Sequence, residues 1–191
     1  MLKTNFFKEI EKNILNENDE EILFDYNNIR KLSEEIILNG INKVNEKKRG
    51  LFFEEIMLDF FEYKLFKVFR TKKTRDFGLD GLIEINIEPF GDLKLGLQVK
   101  YKKIDSKDVD LLINSLNFAE IKVGVLICKD ANRLDKYNIS SKLKAMLIGK
   151  ENKLDVKENL SINPIFILKF SDILDVFSHE VRGVVEMVYK K

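Results

Sequence analysis

The chain is poor in the residues that build histidine- or cysteine-based catalytic sites. Its 191 residues include one histidine, His179, one cysteine, Cys128, and no tryptophan. A single histidine excludes a histidine-rich metal site and argues against a nucleophilic mechanism that needs a histidine base. A single cysteine excludes an internal disulfide, and Cys128 ends an apolar run, where we expect a buried structural thiol.

Long apolar segments and an excess of one charge are also missing. No apolar run approaches the length of a membrane-spanning helix or follows the first residues as a signal peptide would, so we expect a cytoplasmic protein without membrane partners. Basic residues number 33 and acidic residues 32, a formal net charge of +1. This balance does not by itself indicate nucleic-acid binding, so any affinity for DNA must come from local patches.

The order of apolar patterns predicts an α/β protein with a small helical N-terminal segment. Residues 1–48 have helical periodicity, with a break at 16–21 and a basic linker at 47–50. Residues 49–191 predict one domain, in which a buried-type strand at 121–128 follows a helix and the strand at 98–103. This βαβ crossover favours a mixed central sheet between helices. Further elements are expected as a helix at about 140–149, a strand at 165–170 and a final helix capped by Ser171.

Two alternating strands joined by a turn bring polar residues together. Residues 83, 85 and 87 of the first strand are isoleucines, and the odd positions from 93 to 101 of the second strand are apolar. Because residues of equal parity share a face, joining the apolar faces brings Asp80, Gln98 and Lys100 out together on the polar face. Oxygen ligands beside a lysine suit a hard divalent cation and a phosphodiester.

Glu54 is a fourth candidate, in a helix predicted at 51–65. Acidic residues at 55, 59 and 62 recur at helical spacing and predict a solvent-facing stripe, whereas Glu54 shares its spacing with apolar residues at 58, 61 and 65. A carboxylate on or beside the buried side of a helix needs a partner, because an isolated buried charge is very unfavourable. A metal site shared with Asp80 would supply one.

These motifs resemble the Mrr-like branch of the restriction-endonuclease superfamily, the PD-(D/E)XK nucleases. The resemblance covers roughly residues 50 to 177 in element order as well as in motif. It departs from the wider superfamily at Gln98, which stands in place of an acidic residue. From charge alone, Gln98→Glu is expected to tighten metal binding. The residues that carry the resemblance are Gly50, Phe53-Glu54, Arg75-Asp76-Phe77-Gly78-Leu79-Asp80-Gly81 and Gln98-Val99-Lys100.

The resemblance implies a restriction-endonuclease-like α/β/α core and hydrolysis of DNA phosphodiester bonds with Mg²⁺, for which Mn²⁺ could substitute. It implies that Asp80 is the central metal ligand, assisted by Glu54, the Gln98 amide oxygen and the Val99 carbonyl. Lys100 would lie by the attacking water and offset charge on the pentacovalent phosphate. The enzyme would serve restriction and defence or structure-specific repair, and a homodimer is expected because cutting both strands needs two sites.

Two other readings of the function stay open. One is a catalytically weak or inactive DNA-binding or scaffold subunit, which Gln98 and the near-neutral charge favour and the retained Glu54, Asp80 and Lys100 oppose. The other is RNA as the substrate, because the metal chemistry at a phosphodiester is the same.

A basic run near the predicted metal site is either a solvated loop or a phosphate-contacting surface, and its position favours phosphate contacts. This run comprises Arg70, Lys72, Lys73 and Arg75, with Lys102 and Lys103 extending it.

Overall fold

The computed structural model describes residues 5–16, 25–71, 78–87, 91–131 and 165–189. These residues form helices α1 (Phe6–Leu15), α2 (Tyr26–Lys43), α3 (Glu46–Tyr63), α4 (Ser106–Phe118) and α5 (Phe170–Tyr189). They also form strands β1 (Lys67–Arg70), β2 (Gly81–Ile87), β3 (Gly91–Ile104), β4 (Val123–Ala131) and β5 (Ile165–Lys169). None of the described helices is long and apolar enough to cross a membrane.

The five strands form one mixed sheet in the order β1-β2-β3-β4-β5. Strands β1, β2 and β3 pair antiparallel, whereas β4 runs parallel to β3 and β5 runs parallel to β4. Helix α4 connects the parallel strands β3 and β4, as the βαβ pattern predicts. The prediction of a restriction-endonuclease-like α/β fold with a mixed central sheet and a helical N-terminal segment is confirmed. The helix expected at about 140–149 lies outside the described residues.

The β2–β3 hairpin joins its apolar faces as residue parity predicts. Ile83 lies opposite Leu95, and Ile85 lies opposite Leu93. This face packs into the larger core with residues of α1, α2, α3 and α5. The opposite face is covered in part by α4, whose Leu116 would lie 2.5 Å from a Cβ placed on Gly96, so only glycine lets the helix approach this closely. The face expected to be polar is therefore partly buried in a second hydrophobic core.

Helix α3 begins earlier than the sequence pattern indicates. The Asn45 side chain accepts a hydrogen bond from the Lys47 N–H at 3.1 Å, which caps the helix before Glu46. The basic linker expected at 47–50 is wrong, because these residues form the first turns of α3. Lysine and arginine are good helix formers, so a solvated basic run does not interrupt a helix. Helix α3 therefore runs through the domain boundary expected at residue 48, and α1 and α2 pack into the same core.

Helix α5 follows β5 without a connecting residue. The carboxylate of Asp172 accepts from the Lys169 N–H at 2.9 Å, and Ser171 lies in the first helical turn. The cap predicted at Ser171 is therefore wrong. A carboxylate in the first turn can hold the strand end and complement the helix dipole at once.

Arg70 ties β1 to α3 through three carboxylates. Its guanidinium lies 2.6 Å from Asp59, 3.0 Å from Glu62 and 3.3 Å from Glu55. The acidic stripe predicted to face solvent is thus the surface on which Arg70 binds. This contact was not predicted because nothing in the helical spacing of the stripe indicates which basic residue lies above it.

Replacing Arg70 with methionine should lower the free energy of unfolding by about 1–2 kcal/mol, because three carboxylates lose their shared counter-charge. Lys67→Met is the matched control on the same strand. Lys67 pairs with Glu84 at 2.6 Å, but its side chain is 67% exposed. We expect a smaller loss for this exposed pair, because solvent screens the attraction between its charges. Urea denaturation of both variants measures the difference, and equal losses would contradict the special role of Arg70.

Candidate active site

Asp80 lies where β2 begins and is fixed to the edge of β3. Its backbone N–H donates to the Leu97 carbonyl at 2.8 Å, and its Oδ2 accepts from the Val99 N–H at 2.7 Å. The N–H and C=O of one strand residue point toward the same neighbouring strand. The Val99 carbonyl is therefore directed to the side of β3 on which the Asp80 carboxylate lies. The hairpin brings a carboxylate and a backbone carbonyl together.

Gln98 is buried beside the Asp80 turn. The residue is 4% exposed, and its side-chain Nε2 donates to the Gly78 carbonyl at 2.7 Å. Its other terminal atom, Oε1, is buried without a hydrogen-bond partner, the one such side-chain atom in the described part of the chain. Leaving a buried acceptor unsatisfied costs about 1–3 kcal/mol. An orphaned oxygen of this kind is suited to receive a cation.

Glu54 lies on α3, in a stretch of the helix that packs on the sheet near Asp80. Leu58, four residues later and so on the same side of the helix, would lie 2.9 Å from a Cβ placed on Gly81. Phe53 packs against Tyr101 with ring centroids 5.0 Å apart. These contacts place the helical turn that carries Glu54 over the strand ends next to Asp80 and Val99.

The exposure difference expected between Glu54 and Glu55 is absent, since both residues are half-buried. What distinguishes them is position: Glu55 bonds Arg70 at 3.3 Å, on the β1 side of α3. The Glu55 side chain remains 44% exposed while it pairs with Arg70 of β1.

Lys100 is half-buried and lies two residues beyond Gln98 on the face of β3 covered by α4. It is in register with the buried Cys128 of β4. Nearby, burial alone would raise the pKa of the Asp108 carboxyl. A hydrogen bond from Lys102, the Asp105 N–H and the charges of Lys102 and Lys100 outweigh it and lower that pKa. Lys100 thus lies within electrostatic reach of a buried carboxylate.

Asp108 is a site neighbour that sequence reasoning missed. It accepts from the Asp105 N–H at 3.2 Å and pairs with Lys102 at 2.8 Å, with 5% of its side chain exposed. The signal was present in the chain, because acidic residues three apart before an apolar helix form a capping box. Its burial beside β3 follows from the tight βα turn.

The donor set is rich in oxygen but poor in charge. Among the described residues, no group of three or more His, Cys, Asp or Glu side chains is placed to hold a metal ion. The candidate set contains only two such side chains, Glu54 and Asp80. Its other donors are the Gln98 amide oxygen and the Val99 carbonyl. An all-oxygen set with few carboxylates is of the type that binds Mg²⁺, which keeps several waters.

The basic residues predicted to contact DNA fall into three groups. Arg70 is engaged by three carboxylates of α3. Lys102 lies 2.8 Å from Asp108 and Lys103 lies 4.0 Å from Asp130, yet their side chains remain 58% and 57% exposed. Lys72, Lys73 and Arg75 lie outside the described residues. Lys102 and Lys103 thus each have one carboxylate partner, whereas three carboxylates already neutralise Arg70.

Cys128 and His179 lie apart from this chemistry. Cys128 is fully buried, as expected, and this burial raises the pKa of its thiol to about 12. His179 is exposed on α5, where its ring packs against Tyr26 with centroids 4.7 Å apart.

Residues 46–133 match the family model described as a restriction endonuclease, of the Mrr catalytic type. The matched residues run from α3 to β4 and contain Glu54, Asp80, Gln98 and Lys100. No curated protein and no solved structure matches the chain. The resemblance noted from the sequence is confirmed over the matched residues, and the match supports a nuclease of the restriction endonuclease type.

Proposed function

Because residues 46–133 match the Mrr-like restriction endonucleases, we propose that this chain is a Mg²⁺-dependent endonuclease that hydrolyses DNA phosphodiester bonds. The observation that carries the proposal is the buried, unpartnered Gln98 Oε1 on a side chain bonded to the turn before Asp80, whose own carboxylate accepts from the Val99 N–H. Its role would be restriction and defence or structure-specific repair. A homodimer would supply one site for each strand of a duplex.

The residues present fit a divalent metal. The carboxylates of Asp80 and Glu54, the Gln98 Oε1 and the Val99 carbonyl would hold it, and the orphaned oxygen would gain the partner it lacks. A bound Mg²⁺ or Mn²⁺ would supply a coordinated water of lowered pKa and a positive charge beside the phosphate.

Each side chain has a defined part in this proposal. The Val99 N–H orients the Asp80 carboxylate, so that ligand is already in place before a cation binds. The Lys100 ammonium would orient the attacking water and offset negative charge that develops on the pentacovalent phosphate. The exposed Lys102 and Lys103 would contact backbone phosphates, which fixes position without reading sequence.

Supercoiled plasmid incubated with Mg²⁺, Mn²⁺ or EDTA tests the proposal. We expect nicked and linear DNA with either metal and intact plasmid with EDTA. Single-stranded RNA in the same series tests the alternative substrate. If the protein binds DNA but cleaves nothing with any metal, the inactive DNA-binding subunit is correct instead, a reading that the low charge of a site with Gln98 favours.

The replacement of Lys72, Lys73 and Arg75 with alanine should weaken DNA binding similarly across sequences. Each lost phosphate contact lowers the slope of log affinity against log salt by about 0.9, so three contacts predict a change of about 2–3. Arg70→Met is the control, and its slope should not change because three carboxylates already compensate Arg70. Fluorescence anisotropy between low and moderate salt measures both. An unchanged slope in the triple variant would make the run a solvated loop.

A further inference from the structure

Gly78 is exposed to solvent but lies next to Gln98 and α4. Its φ of +88° lies in the left-handed region that favours glycine. A Cβ at Gly78 would lie 3.1 Å from the Ser115 Oγ of α4, tighter than an ordinary contact, and 3.8 Å from the Gln98 Nε2. Ser115 is itself held, because its hydroxyl donates to the Leu111 carbonyl at 2.9 Å. The Gly78 carbonyl is therefore fixed in direction by its backbone conformation and its neighbours.

That carbonyl decides which way the Gln98 amide points. A carbonyl oxygen only accepts hydrogen bonds, so the Gln98 atom that lies 2.7 Å from it must be the amide nitrogen. The amide oxygen must then point away from Gly78. It is the buried Oε1 that has no hydrogen-bond partner. One backbone carbonyl thus determines that the oxygen, and not the nitrogen, of the Gln98 amide is left without a hydrogen-bond partner.

We infer that the Gly78 carbonyl is a positioning group that selects glutamine over glutamate at position 98, an inference that rests on the proposed metal site. A carboxylate has no hydrogen to donate. In Gln98→Glu an anionic oxygen would face the Gly78 carbonyl oxygen at hydrogen-bond distance, at a position where the residue is only 4% exposed. The side chain would have to turn away, and the oxygen now presented to the site would be displaced. A glutamate is therefore a poorer metal ligand here, although it carries more charge.

Two substitutions test this selection in DNA-free protein titrated calorimetrically with Mn²⁺. Gln98→Glu should bind Mn²⁺ about tenfold more weakly than the wild type, as the ligand-deleting Gln98→Leu should. Gly78→Ala should bind about five- to tenfold more weakly, although every ligand remains, because the strained backbone moves the carbonyl. Gly91→Ala is the matched control. Gly91 has a φ of +87° but no atom within 4 Å of an added Cβ, so it tests backbone strain away from the site.

Gly91→Ala should bind Mn²⁺ within about twofold of the wild type, since its strain does not reach a ligand. Equal or tighter binding by Gln98→Glu would overturn the inference, and so would wild-type affinity in Gly78→Ala. If Gln98→Glu does not fold, the comparison of Gly78→Ala with Gly91→Ala decides alone.

The Asp80→Asn variant separates the proposed metal site from the proposed selection by Gly78. If the wild type binds Mn²⁺ no better than Asp80→Asn, the metal site itself fails. If Asp80→Asn loses binding while Gln98→Glu gains it, only the selection by Gly78 fails.

Discussion

Replacing Asp80 with asparagine should abolish metal-dependent cleavage while preserving the fold. The asparagine oxygen can still accept from the Val99 N–H, which lies 2.7 Å from Asp80 Oδ2 in the wild type. The negative charge is lost, however, and with it one of only two carboxylates in the candidate ligand set. A bound metal contributes several kcal/mol of transition-state stabilisation, so we expect the cleavage rate to fall by at least about 10³-fold. Plasmid cleavage under saturating Mg²⁺ measures the loss.

Asp92→Asn is the matched control for this substitution. Asp92 lies in the same hairpin, opposite Asn86, and is exposed. Its variant should cleave at the wild-type rate, because neither its charge nor its backbone belongs to the site. Asp80→Ala removes the contact to Val99 as well and should also reduce thermal stability. Cleavage by Asp80→Asn within about tenfold of the wild type would show that the reaction does not use this carboxylate.

The hairpin that carries the site was predictable because strand geometry has a period of two. Once the isoleucines of β2 and the leucines of β3 are assigned to one core, Gln98 and Lys100 must lie on the other face. The observed pairing of Ile83 with Leu95 agrees with this assignment.

The alternation of residues along a strand does not show which element packs on each face. Helix α4 covers it, so Gln98 is buried where the sequence pattern indicated a polar surface. The same limitation applies to Arg70, whose three partners lie between 8 and 15 residues earlier on a different element. Contacts of this kind depend on how helices pack across the sheet. Hydrophobic periodicity within a single element does not determine them.

Backbone groups were the hardest part of the candidate site to predict. The Gly78 carbonyl orients the Gln98 amide, and the Val99 N–H orients Asp80. Every residue carries these groups, so side-chain chemistry gives no indication of which ones act. Gly78 offered one local signal, because a glycine in a turn can adopt the positive φ that the structure shows.

Replacing Lys100 with methionine should reduce the cleavage rate by about 10²–10³-fold at saturating DNA and metal, the size of effect seen when one positioned group that stabilises transition-state charge is removed. Methionine keeps most of the side chain's apolar length, so packing of the half-buried Lys100 against β4 and α4 should persist. Lys100 is not a metal ligand in the proposed site. Its loss should therefore leave Mn²⁺ affinity within about threefold of the wild type, on the tighter side because a nearby positive charge is removed.

Lys94→Met provides the control for removing a lysine from the same strand and the same face of β3. Lys94 is 61% exposed and lies 3.6 Å from Glu84, away from Asp80. Its replacement should leave both the cleavage rate and Mn²⁺ affinity unchanged. Single-turnover cleavage combined with calorimetric titration separates the chemical step from metal binding in each variant. A Lys100→Met protein that cleaves at the wild-type rate would remove Lys100 from the mechanism. One that loses Mn²⁺ binding would show that its effect acts through the metal site.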